Sequence, residues 1–169
     1  GVGSIAVAIL SHLGYRVAAV SGKADAADFL AGLGATEILS REEMSQPPRA
    51  REGQRWAGAV DTVGSTMLAR VLAETQYGGC VAACGLAGGA DLPTTVMPFI
   101  LRNVSLRGVD SVMCPIERRK TAWQRLVNDL PAKALGEIGQ VATLEQLPEL
   151  AEQITTGKIR GRVIVDPNG

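Results

Sequence analysis

The order of apolar runs constrains this chain more than any other feature. Stretches with helical spacing alternate with short apolar runs rich in β-branched residues, the pattern of a parallel sheet covered on both faces. After Gly1-Val2-Gly3-Ser4, residues 5–13 carry apolar side chains at helical spacing, and Gly14 ends the run. Residues 16–20 read as a buried strand, 24–33 as a helix stopped by Gly34, and 36–39 as the next strand. The polar, proline-bearing stretch 41–55 predicts a surface excursion opened by a short helical turn. A strand at 56–63, a helix at 65–74 with Ser65 as its N-cap and a buried strand at 79–84 follow. A loop at 85–89, a short helix at 98–102 and a strand at 104–109 come next. Helices at 116–130 and 144–156 and a strand at 162–165 complete the series. The expected fold is α/β, a Rossmann-type doubly wound parallel sheet, with residues 1–169 forming one nucleotide-binding domain.

One strand is missing from that pattern. A Rossmann unit places a strand ahead of its glycine turn, and here the turn comes first, so the sequence reads as a fragment lacking its first strand. Gly1-Val2-Gly3-Ser4-Ile5-Ala6 fits G-x-G-x-x-[G/A]. In such a motif the first glycine permits the tight turn, the second lets backbone approach a pyrophosphate, and the small third residue allows close helix packing. The helix that opens there offers free N–H groups and its positive dipole end to phosphates. A plain glycine turn ahead of a helix would carry the same residues; the helix, strand and polar strand end that follow favour the nucleotide.

The strand end chooses the cofactor. NAD-specific domains commonly place an Asp or Glu about 20 residues after the glycines, on the ribose 2′-OH. Ser21-Gly22-Lys23 stands there instead. A carboxylate would repel a 2′-phosphate, whereas a hydroxyl, a bare backbone N–H and an ammonium would bind one. Arg41, after the next strand, can reach the same pocket, so NADPH is expected over NADH. The alternative is a solvated turn with an ordinary lysine. The small residues of the 85–89 loop would admit a nicotinamide ribose at the strand's C-terminal edge, though a flexible surface turn reads alike. Asp61 reads as a local hydrogen-bonding residue rather than a catalyst.

Composition narrows the partners. Lys plus Arg balances Asp plus Glu at 17 each, so no net charge points to nucleic acid or an anionic membrane. No apolar run approaches the roughly 18–20 residues of a membrane span. Cys80, Cys84 and Cys114 form neither a disulfide framework nor a paired-cysteine zinc site, and His12 is the one histidine, so no metal is expected. Cys80 and Cys84 read as buried thiols on a core strand, His12 as a surface or boundary residue, and the compartment as the reducing cytoplasm.

Several segments carry a family resemblance: Gly1-Val2-Gly3-Ser4, Val20-Ser21-Gly22-Lys23, and the runs Trp56 to Gly64, Tyr77 to Gly89 and Leu92 to Val104. Nearly the whole chain, down to Gly161-Arg162, resembles the acrylyl-CoA reductase type of quinone-oxidoreductase-like proteins. These belong to the zinc-independent part of the medium-chain dehydrogenase/reductase superfamily. The resemblance implies NADPH-dependent reduction of acrylyl-CoA to propionyl-CoA in a cytoplasmic homodimer. Position by position, it carries cofactor contacts onto Gly1, Val2, Ser21, Gly22, Lys23, Arg41, Leu86, Ile100, Ser111 and Gly157, and the glycine motif adds Gly3. Lys23 departs from a common Arg, losing the planar fork that grips phosphate. Gly157 stands where the resemblance implies an Asn in a close relative, so only a backbone contact could survive there. The N-terminal catalytic domain is absent from this sequence, and the last strand, near 160–166, would return to it. No residue here is therefore expected to be catalytic, and the fragment alone is not expected to be a competent enzyme. The strand from Val104 to Ser111 would pair across a two-fold axis; an internal strand is the alternative. A quinone or small-enone reductase on the same scaffold, and a non-catalytic NADPH-binding sensor, remain open beside the thioester reductase.

Overall fold

The computed structural model describes residues 1–49 and 52–168. The chain is α/β and forms two compact units. The first comprises Gly1–Ala19, Lys23–Ile38 and the stretch from Lys120 onward; the second comprises Val20–Gly22 and Leu39–Arg119. In chain order the elements begin with α1 (Val2–His12), β1 (Ala18–Ser21), α2 (Ala27–Gly32), β2 (Glu37–Ser40) and α3 (Arg41–Met44). Then come β3 (Trp56–Asp61), α4 (Ser65–Glu74), β4 (Thr75–Ala83), α5 (Met97–Arg102) and β5 (Ser105–Gly108). The series ends with α6 (Ile116–Asp129), α7 (Ala132–Ile138), β6 (Gly139–Ala142), α8 (Leu147–Thr155) and β7 (Arg162–Val165).

In the first unit the core is built on small residues that let elements approach closely. Val7 and Ala8 of α1 meet Leu30 and Leu33 at the end of α2 and Ala134 and Ile138 of α7, with Val17 and Ala19 beneath. Pro131 opens α7, whose buried positions Ala134 and Ile138 lie one turn apart. β6 and β7 pair in parallel, Gly139 opposite Arg162 through Ala142 opposite Val165. Neither α7 nor β6 was foreseen, because two short elements separated by no polar break leave little periodicity to read.

In the second unit β3, β4 and β5 form a parallel sheet in that order, so β5 is an edge strand. α4 buries Met67, Leu68, Ala69, Val71 and Leu72, and Val81 of β4 is fully buried. The chain passes from α4 straight into β4, so that strand starts at Thr75, earlier than its apolar run suggests. The buried Glu74 carboxylate at this junction accepts hydrogen bonds from Trp56 Nε1 (2.9 Å) and Arg70 Nε (2.6 Å). Arg102 at the end of α5 donates to the carbonyls of Ala73 and Glu52, both at 2.6 Å.

The structure corrects several expectations. Val2, Gly3 and Ser4 belong to the first turn of α1 rather than to a turn before it, with Gly1 as the N-cap. Gly64, at φ 75°, and not Ser65, caps α4. Cys80 and Cys84 are exposed. Side chains alternate along a strand, and Val81 takes the covered face, which leaves Cys80 and Cys84 on the other. Met44, inside the supposed surface excursion, is fully buried, while Ala50 and Arg51 of that stretch lie outside the described residues. The α/β arrangement itself stands as expected, in the sheets β1–β2, β3-β4-β5 and β6–β7. His12 is exposed, as expected.

Candidate functional site

The first unit places Gly1, Val2, Gly3, Lys23 and Gly157 on three segments. α1 opens with Gly1, whose carbonyl accepts from Ile5 N (3.2 Å), and the first-turn N–H groups have no partner within the helix. Gly3 has an ordinary backbone, and a Cβ added there would meet no heavy atom within 4 Å. Neither strain nor packing in the chain calls for glycine at that position. Val2 beside it is exposed. The Lys23 ammonium donates to the carbonyl of Ile159. Gly157 ends α8 at φ 72°, with its N–H on Ile154 O (3.1 Å) and Lys158 N–H on Gln153 O (2.8 Å). Asparagine tolerates that left-handed conformation better than most residues, so Gly and Asn are interchangeable in this turn. Sequence reasoning missed Arg162, whose guanidinium nitrogen lies 3.3 Å from where a Cβ of Gly1 would stand. Only the return of β7 brings that arginine to the start of α1, and no spacing in the sequence signals it.

The second unit brings Ser21, Gly22 and Arg41 together. β1 ends at Ser21 and β2 at Ser40, and α3 begins at once with Arg41. Ser40 Oγ accepts from Glu42 N (3.1 Å), which caps α3 and fixes the path of Arg41. The Arg41 side chain then lies along Gly22, with Cδ and Nε each 3.3 Å from the position of a Cβ there. A hydroxyl, a glycine N–H and a guanidinium thus stand at the end of β1, where the sequence supplies no carboxylate.

A groove lies beyond the C-terminal ends of the same unit's strands. The parallel register sets Asp61 opposite Ala83 and Ala83 opposite Gly108, so the three strands end level. Ala83, Cys84, Gly85, Leu86, Gly108, Val109 and Asp110 line a volume of about 470 Å³. The loop after β4 is pressed against 62–64 rather than loose. Gly88 N–H bonds Val63 O (2.7 Å), Cys84 N–H bonds Asp61 O (2.9 Å), and a Cβ on Gly85 would stand 2.4 Å from Thr62 O. That clamping turns Leu86 outward, 66% exposed, at the groove's edge. Asp61 stays a local anchor: its Oδ2 accepts from Gly64 N (2.8 Å) and Val63 N (3.2 Å). Burial raises its carboxyl above the usual range, against the lowering effect of those two N–H groups. Although Cys84 is exposed as a residue, partial desolvation of its thiol, and then the Asp61 charge, push that thiol up, and its Sγ–H donates to Asp61 O in a part-buried bond (3.2 Å). A thiol so held is a poor nucleophile at neutral pH. Ser111 follows Asp110 directly, whereas Ile100, exposed on α5, does not line the groove.

Among the described residues no three His, Cys, Asp or Glu side chains are grouped as metal ligands, and no helix is long and apolar enough to cross a membrane.

A family model described as zinc-binding dehydrogenase matches residues 1–128. The chain is 56% identical over 168 residues to the probable acrylyl-CoA reductase AcuI of Escherichia coli K12, covering 99% of this chain and 52% of that protein. It is similar to the yhdH oxidoreductase of Salmonella enterica crystallised in complex with NADP, at 56% identity and a TM-score of 0.96, over 99% of this chain and 51% of that one. The putative quinone oxidoreductase YhfP of Bacillus subtilis 168 is 47% identical over 167 residues, 98% of this chain and 51% of that protein. The crystal structure of Bacillus subtilis yhfP with NAD bound gives a TM-score of 0.92, over 99% of this chain and 51% of that one. The chain spans about half the length of these relatives.

Proposed function

The chain belongs to the zinc-binding dehydrogenase family, and on that premise we propose that the full-length protein carrying it reduces the α,β double bond of acrylyl-CoA to give propionyl-CoA, using NADPH. The observation that carries this reading is the 56% identity to a probable acrylyl-CoA reductase across 99% of the chain. When bound, NADPH supplies the hydride that reaches the β-carbon, and a proton completes the α-carbon.

The residues present fit that cofactor. In the first unit Gly1, Val2 and Gly3 offer unpartnered N–H groups and a helix dipole to a pyrophosphate. The open space beside Gly3 leaves the approach clear. Lys23 adds positive charge while also serving the Ile159 carbonyl, and Gly157 offers backbone. In the second unit the Ser21 hydroxyl, the Gly22 N–H and the Arg41 guanidinium make a donor set suited to a 2′-phosphate. Leu86 gives apolar surface at the groove and Ser111 a hydroxyl beside it, while Ile100, outside the groove, is kept as an apolar contact by the resemblance alone. No residue of this chain is assigned a catalytic role. The reading extends to a zinc-independent, cytoplasmic homodimer, as the family resemblance implies; for the pairing through Val104–Ser111 the support is that β5 presents an outer edge a second copy can pair with.

A second reading, reduction of quinones or small enones, is favoured by the 47% identity to a putative quinone oxidoreductase. Initial rates of NADPH oxidation by the full-length protein, with acrylyl-CoA and separately with benzoquinone, decide between them. A much higher kcat/KM for acrylyl-CoA is expected. Fast quinone turnover with none on the thioester would keep the cofactor and overturn the substrate, and NADPH binding without turnover of either would favour a sensor.

A further inference from the structure

One wall of the groove is a loop with little apolar anchorage. Residues 109–113 leave the end of β5 with Val112 82% and Met113 79% exposed. The loop's first residue is tied to the sheet, Val109 N–H on Ala83 O at 2.9 Å. Past that point, polar side chains hold the backbone. Asp110 Oδ1 accepts from Val112 N (2.8 Å) and Met113 N (3.1 Å), a turn closed within the loop itself. Arg119, on the first turns of α6, reaches back and donates from Nη2 to the carbonyl of Ser111. Its own N–H bonds Pro115 O (3.0 Å), so the arginine grips the segment it leaves and the one it faces. Asp110 shapes the loop, and Arg119 ties that shape to a helix.

We propose that Arg119 is a positioning residue: by holding the Ser111 carbonyl it sets the wall made by Val109 and Asp110, and with it the alignment of the reacting groups in the groove. This rests on the reductase reading above and goes beyond it in assigning a role to α6. The donor set Ser21, Gly22 and Arg41 stands at the end of β1 and the start of α3, and of the cofactor contacts proposed above only Ser111, at the reacting end, is on this loop. Loss of the bond should therefore slow turnover more than it weakens NADPH binding. Alignment errors of about an ångström cost rates up to roughly a hundredfold.

The test uses the full-length protein with Arg119→Ala and Arg119→Lys. Three readouts are taken: kcat with acrylyl-CoA, NADPH affinity by fluorescence titration, and amide hydrogen exchange at Val112 and Met113 without cofactor. Arg119→Ala is expected to speed exchange at both amides and lower kcat about tenfold or more, with NADPH affinity held within about twofold. Arg119→Lys, which keeps a donor of similar reach, should recover most of the loss. Unchanged exchange and kcat in Arg119→Ala would overturn the proposal. So would a loss of kcat matched by an equal loss of NADPH binding that lysine does not rescue. A wild-type protein inactive with both thioester and quinone would instead bring down the reductase reading, and this inference with it.

Discussion

At the scale of single residues, Gly3 separates stability from binding. Its backbone is ordinary and the space around its missing side chain is empty, so alanine fits without strain. An alanine in the first helical turn should stabilise the fold by up to about 1 kcal/mol. In the cofactor site proposed above, the same methyl group would stand where a pyrophosphate approaches α1. Gly3→Ala is therefore expected to raise the urea midpoint of the full-length protein while weakening NADPH binding about tenfold or more, a loss of at least roughly 1.4 kcal/mol. A variant that is more stable and binds NADPH as tightly as wild type would remove phosphate approach as the reason for this glycine. Gly22 is a glycine for a different reason, since its missing side chain makes room for Arg41. Spacing from the glycine turn singled out Ser21, Gly22 and Arg41 as candidates, and the structure brings Gly22 and Arg41 together, because consecutive strands of one sheet end near one another. Arg162 and Arg119 were not legible in that way. Each acts across a distance in sequence that only the folded chain closes.

At the scale of elements, the turn from β3 into α4 carries a pH signature. Burial raises the Asp61 carboxyl pKa in the folded protein, although Gly64 and Val63 donate to it. The folded state therefore keeps this proton to higher pH than the unfolded chain does. The resulting contribution to stability is full below the unfolded pKa and is lost as pH rises through the folded one. Asp61→Asn retains an oxygen for both N–H groups and removes the buried charge. It should flatten that slope and leave stability at neutral pH within about 1 kcal/mol of wild type or above it. Urea melts across the mildly acidic range check this, and an unchanged slope in the variant would contradict it. The ease of reading elements from sequence followed their length and the covering of their faces. α4 was found residue for residue because Met67, Leu68, Val71 and Leu72 mark one helical face over successive turns. α7 and β6, with Ala134, Ile138 and Ala142 as their buried residues, left too short a pattern. The run Cys80-Val81-Ala82-Ala83-Cys84 is apolar throughout, and its composition does not tell a strand covered on one face from one covered on both. Packing made that distinction, and it left both thiols exposed.

At the scale of the whole molecule, the alternating order of helices and strands was enough to give the α/β class and the parallel pairing of its strands. The exposed edge at β5 leads to an assembly prediction. Sedimentation velocity on the full-length protein should show a dimer at micromolar concentration, and a clean monomer would remove the proposed pairing through Val104–Ser111. One relative was crystallised in complex with NADP and another with NAD bound. The end of β1 argues for the phosphorylated form, with Arg41 laid along Gly22 and no carboxylate at Ser21. A charge-assisted hydrogen bond from such a group is worth about 1.5–3 kcal/mol, or roughly ten- to a hundredfold in affinity. The most direct measurement is kcat/KM of the full-length protein for NADPH and for NADH, at fixed acrylyl-CoA. NADPH should be preferred by about tenfold or more; equal values, or a preference for NADH, would contradict the assignment of Ser21, Gly22 and Arg41 to the 2′-phosphate.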